Sequence, residues 1–172
     1  MVRDPVGMVR ALVRLELRFP WRAGTPAHAP VLHMSAATFT FATSRDAFLA
    51  APRAALFWAR WPEVPGALGL SLRFQPLQRR AWMLSVWTSA ASLDQFLDSS
   101  AHRLVMTTFR PRLSACPRSM RWQTSSFDID SCWQHARAAL RCVIALADHF
   151  GVDLWPCSWS ISRRQCSLMW SD

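Results

Sequence analysis

Apolar and polar residues follow period two in four stretches of the chain and a helical period between them. Val31 to Ala42 is the first strand: Val31, His33, Ser35, Ala37, Phe39 and Phe41 share one face, and Leu32, Met34, Ala36, Thr38 and Thr40 the other. Ser44 is suited to cap a helix over Arg45 to Arg60. Phe48, Leu49 and Leu56 are expected on its inner face, and Pro52 is expected to kink or split it. After a Pro- and Gly-bearing turn, Ala67 to Phe74 is the second strand, with Leu68, Leu70, Leu72 and Phe74 on one face. The loop over residues 75–79 suits a hairpin to the third strand.

In that third strand Trp82, Leu84 and Val86 alternate with Met83, Ser85 and Trp87. Thr88 or Ser89 can cap a helix carrying Leu93, Phe96 and Leu97 at i, i+3 and i+4. Ser99 or Ser100 offers a second cap, and His102, Val105, Met106 and Phe109 continue the apolar stripe until Pro111. This places His102 on a buried helix face. Arg118 to Phe127 is the fourth strand. Asp130 or Ser131 can cap a last helix ending near Phe150, with Gly151 as its stop. The order is β-α-β-β-α-β plus a C-terminal helix. Two right-handed crossovers joined by a hairpin then give an α+β, ferredoxin-like domain: a four-stranded antiparallel sheet with helices on one face. The other face is expected to be bare, lined by Trp87, Trp122 and their neighbours, and ready for a second copy of the chain or a ligand.

The domain is expected over residues 31–150. Residues 1–30 read as an extension and breaker-rich linker, although Met8 to Phe19 suits a short amphipathic helix or strand. Residues 151–172 show no period and read as an irregular tail.

Composition adds a formal charge of +9 and an apolar content of 51% over 172 residues, enough for one folded core. Every basic residue is Arg, and Lys, Asn and Tyr are absent. The Arg residues are dispersed, with no basic block or recognised motif, which argues against a nucleic-acid partner. No run reaches the roughly 18 apolar residues of a membrane-spanning helix. Five cysteines without framework spacing, behind no secretory signal, point to a reduced, cytoplasmic protein.

The segment Pro65-Gly66-Ala67-Leu68-Gly69, with Trp82, Leu84 to Trp87, Leu93, Phe96, His102 and Met106, resembles the dimeric α/β-barrel superfamily, near the antibiotic-biosynthesis-monooxygenase-like and DUF3291-like proteins. The resemblance spans about residues 31–141. It implies a homodimer with a ligand cavity between sheet and helices, and either a small oxygenase acting on an aromatic or polycyclic molecule or a non-catalytic small-molecule or haem binder. The cofactor is then none or haem.

His102 is the candidate catalytic residue, as a proton shuttle or a haem ligand. The competing reading is a core histidine bonded to a backbone carbonyl. His33, Trp82, Trp87 and Met106 are the candidate ligand-binding residues, with packing as the alternative for each. His135, Cys142 and His149 share a helix face, but at seven-residue steps of about 10.5 Å, too far apart for one metal. No metal site is expected. Phosphate-loop, dinucleotide and nucleophile-elbow motifs are absent.

Overall fold

A computed structural model describes residues 15–25, 29–150 and 160–161, with the side chains of 143–150 and 160–161 outside the description. The strands are β1 (Leu17–Ala23), β2 (Leu32–Thr40), β3 (Ala67–Gln75), β4 (Arg80–Trp87), β5 (Arg118–Thr124) and β6 (Ser160–Ile161). The helices are α1 (Ser44–Ala59), α2 (Ala90–Asp98), α3 (Ser100–Phe109) and α4 (Ile129–Phe150). Strand order is β1-β3-β4-β2-β5-β6. The inner four strands, β3-β4-β2-β5, are antiparallel throughout and form the expected β-α-β-β-α-β sheet. The fold is therefore α+β and ferredoxin-like, with α4 as the added C-terminal helix.

Two strands extend the sheet beyond that frame. Leu17–Ala23, within the stretch expected to be an extension, pairs antiparallel with β3. Leu17 and Phe19 pack into the core there, and a bulge between Phe19 and Arg22 turns Trp21 to the opposite face. Within the stretch expected to be an irregular tail, Ser160 and Ile161 pair in parallel with Ser119 and Met120.

The sheet separates two apolar clusters. On one face α1 and α2 cover Phe41, Leu70, Leu72, Phe74, Ala81 and Trp87. The buried residues of α1 are Ala47, Ala50, Ala51 and Ala54, whereas Phe48, Leu49 and Leu56 point outward, Leu56 at 65% exposure. The large residues were expected inside. Alanine lies there instead because Phe57, Trp58 and Trp61 fill the space at the end of the helix. Pro52 does not split α1: it is exposed, so the carbonyl it leaves unbonded is on the solvent side. The cap is Thr43, whose Oγ1 accepts from the Asp46 amide at 3.1 Å.

The second face is not bare. α4 lies across it, burying Trp133, Ala136 and Leu140 against Met34, Ala36, Leu84, Val86, Met120 and Trp122. Asp128 starts this helix by accepting from the Ser131 amide at 2.8 Å. Trp87 belongs to the opposite face from Trp122, as strand alternation requires. Leu68 parts from Leu70 and Leu72 because a bulge between Ala67 and Gly69 shifts the register.

Glu16 ties the second face together. Its Oε1 accepts from Arg18 Nε at 2.8 Å, and its Oε2 from Gln75 Nε2 at 2.9 Å and from Arg137 of α4 at 3.3 Å. Burial works against its charge, but these donors outweigh it and hold the carboxyl below its ordinary value.

Candidate functional site

A break in the second crossover creates the site. α2 ends at Asp98, and Ser99 both closes it and starts α3. Ser99 Oγ donates to the Phe96 carbonyl at 2.6 Å and accepts from the His102 amide at 3.1 Å. The new helix axis lifts α3 away from the sheet, so none of its residues is fully buried. The stripe read from the sequence as a core face therefore fronts a cavity of about 850 Å³.

Its floor is the sheet, through Ala37, Phe39 and Met83. Its wall is α3, through His102 and Met106, with Arg110 just beyond the end of the helix. Residues 113–117, leading into β5, close the far side. At the mouth, Arg121 of β5 bonds Asp94 of α2 at 2.7 Å. Both side chains are substantially exposed, so this pair fixes position more than it stabilises.

His102 has two different sides. Its Nδ1 lies 2.9 Å from the Leu97 carbonyl, which only accepts, so Nδ1 carries a proton. Its ring sits 5.1 Å from that of Phe96. Nε2 has no hydrogen-bond partner among the described residues and is left for the cavity. Burial lowers the imidazole pKa, against the opposing pull of the Leu97 carbonyl and Asp98. The ring is thus neutral at pH 7, with an available lone pair on Nε2. One nitrogen caps α2 at the Leu97 carbonyl, and the ring lines the cavity.

The other candidates separate. Met106 lines the cavity one turn beyond His102. Trp87 is fully buried behind Phe96, with ring centroids 5.2 Å apart, and its Nε1 donates to Ser85 Oγ at 3.0 Å. It also packs edge-on against Trp61, making it core and not cavity lining. Trp82 points to the α4 face, where Arg137 lies 5.6 Å from its ring centroid. His33 is half-buried at the start of β2 and is not among the lining residues. Sequence reasoning missed Asp94, Arg121 and Cys116 at the rim. Asp94 and Arg121 are 27 positions apart and only the fold brings them together. Among the described residues no group of three or more His, Cys, Asp and Glu is placed to hold a metal ion. No helix is long and apolar enough there to cross a membrane.

No family model matches the chain, and no curated protein matches it. Solved structures do. An antibiotic-biosynthesis-monooxygenase-like protein from Nitrosomonas europaea is 4% identical, with 58% of this chain and 94% of that one covered and a TM-score of 0.50. Another from Caulobacter crescentus CB15 is 14% identical, covering 56% and 91%, with a TM-score of 0.47. SnoaB, a cofactor-independent oxygenase from Streptomyces nogalater, is 17% identical, covering 58% and 96%, with a TM-score of 0.39. At these identities the likeness is one of fold. The chain has the ferredoxin-like fold of the antibiotic-biosynthesis-monooxygenase-like proteins.

Proposed function

We propose that the cavity binds an aromatic or polycyclic small molecule and that His102 removes a proton from it, as the base of a small oxygenase. The observation that carries this reading is the asymmetry of His102. Leu97 fixes the Nδ1 tautomer, burial keeps the ring neutral, and Nε2 has no partner among the described residues, inside a cavity large enough for several rings. Ala37, Phe39, Met83 and Met106 offer apolar surface to a flat ligand. Loss of a proton from a phenol or an activated ring carbon raises the electron density of the ring system, the form in which it reacts with dioxygen.

The test is oxygen uptake by the purified protein over a panel of polycyclic phenols, beginning with 1-naphthol and 2-naphthol. Uptake that rises with pH through the His102 titration and is lost in His102→Phe supports the reading. A substrate turned over equally well by His102→Phe ends it.

A second reading is favoured by the same hydrogen bond. Metal-bound imidazoles donate their other N–H to a carbonyl or carboxylate, as His102 does to Leu97. His102 would be the residue that holds the iron, in a cavity that Met106 also lines, and haem bound there would supply redox chemistry at iron. The absorbance spectrum of protein grown with haem separates the two: a Soret band lost in His102→Ala selects the binder.

A homodimer would have to use a surface other than the sheet face covered by α4, and sedimentation at tens of micromolar tests for one. The setting we assign is the reducing cytoplasm, where the free thiols of Cys132 and Cys142 persist.

A further inference from the structure

Behind the main cavity lies a second, smaller one of about 60 Å³. The two share Phe39 and Met83 as lining residues. α3 walls both, with Met106 facing the larger and Val105 and Phe109 the smaller. Its cause is a mismatch of sizes. Ala81 of β4 pairs with Phe39 on one side and Phe74 on the other, so two large rings flank one methyl group. Ala54 of α1 faces the same space beside Phe57. The rings hold the elements apart and the two alanines leave the gap unfilled. Trp82 is the one lining residue with a polar side-chain group, and its ring packs on the opposite face, so the lining surface is almost wholly apolar; such a space stays dry and takes an apolar guest.

We propose that this space is an alkyl subsite, taking a short hydrocarbon branch of the molecule whose rings occupy the main cavity. The assignment rests on the aromatic-ligand reading above and adds to it: the ligand class is an alkyl-substituted aromatic, not a bare one. Continuity argues for a branch of the same molecule as the occupant. The boundary is Phe39 and Met83, and the unbranched thioether of Met83 can swing aside with little change in backbone. The volume admits two or three carbons and excludes a second ring, because even a space of about 150 Å³ is filled by one benzene.

The experiment compares 2-naphthol with 6-ethyl-2-naphthol by equilibrium titration of the full chain. The ethyl compound should bind about tenfold tighter, the change expected for two carbons leaving water. Ala54→Leu, which fills the subsite from α1, should bring the two affinities within about twofold. Should Ala54→Leu not fold, Ala81→Val narrows the same space from β4. Xenon should also perturb NMR signals of Ala54, Val105 and Phe109 in the wild-type chain but not in the filled variant. Equal affinity of the wild type for both naphthols, an ethyl preference that survives filling, or no xenon effect at these residues overturns the subsite. If neither naphthol binds, the aromatic-ligand reading falls and takes the subsite with it; if both bind equally, only the subsite falls.

Discussion

His102→Ala removes one hydrogen bond, one ring contact and a titrating group, and each has a size. The bond from Nδ1 to the Leu97 carbonyl is worth about 0.5–1.5 kcal/mol. The contact with Phe96, at 5.1 Å, adds about 0.5–1.5 kcal/mol. Alanine in the first turn of α3 returns a few tenths of a kcal/mol in helix propensity. Little cavity term applies, since the ring already borders open space. The expected loss at pH 7.5 is about 1–2 kcal/mol. The dependence on pH has a definite sign. Burial lowers the pKa of His102 in the folded chain below its ordinary value of 6.5, so below that value the unfolded chain binds the extra proton. Wild-type stability then falls as pH drops through 6.5 toward the folded-state pKa, and a chain lacking His102 is spared this loss. Urea denaturation of both proteins at pH 7.5 and pH 5.5 measures it, and the gap between them should narrow at the lower pH. A loss of about 3 kcal/mol or more would place His102 in solid core. A gap that does not depend on pH would refute the burial argument.

Trp61, fully buried and edge-on to both Trp87 and Phe96, anchors the aromatic cluster behind the site. Trp61→Ala should lower the unfolding free energy by about 3–5 kcal/mol in denaturant titration. Gly66 has a φ of +72° and faces the Ser92 side chain, so Gly66→Ala should destabilise by about 1–2 kcal/mol, seen as a lower Tm. The ring of Trp21 lies directly over Gly69, so Gly69→Val must displace it, and the near-ultraviolet dichroism of the tryptophans should change. The stabilisation Glu16 gives through its lowered pKa is present above the ordinary value of 4.5 and is lost as pH falls through its folded value. Amides of α4 should then exchange faster at pH 4 than those of α1, after correction for intrinsic rates; equal protection would mean that Glu16 does not hold the helix.

Period and punctuation carried the central architecture. Alternation in 32–40, 70–75, 80–87 and 118–124 fixes which residues share a face, and the serines at 89 and 99 mark the caps of α2 and α3, because these are local matters of backbone geometry and orphan amides. The stripe His102, Val105, Met106 and Phe109 was legible for the same reason. What that stripe faces was not. Whether a helix side meets packed atoms or a cavity depends on how far α3 is lifted from the sheet, and that follows from the break at Ser99 and from residues distant in the chain. Tertiary structure alone decided that α4 covers the second sheet face, that Leu17–Ala23 joins β3, and that alanines form the inner side of α1. It also set Trp82 and Trp87 apart from His102 and brought Asp94 to Arg121. Each of these depends on which surfaces meet across the sheet, and a one-dimensional pattern records that a face is apolar without recording what covers it.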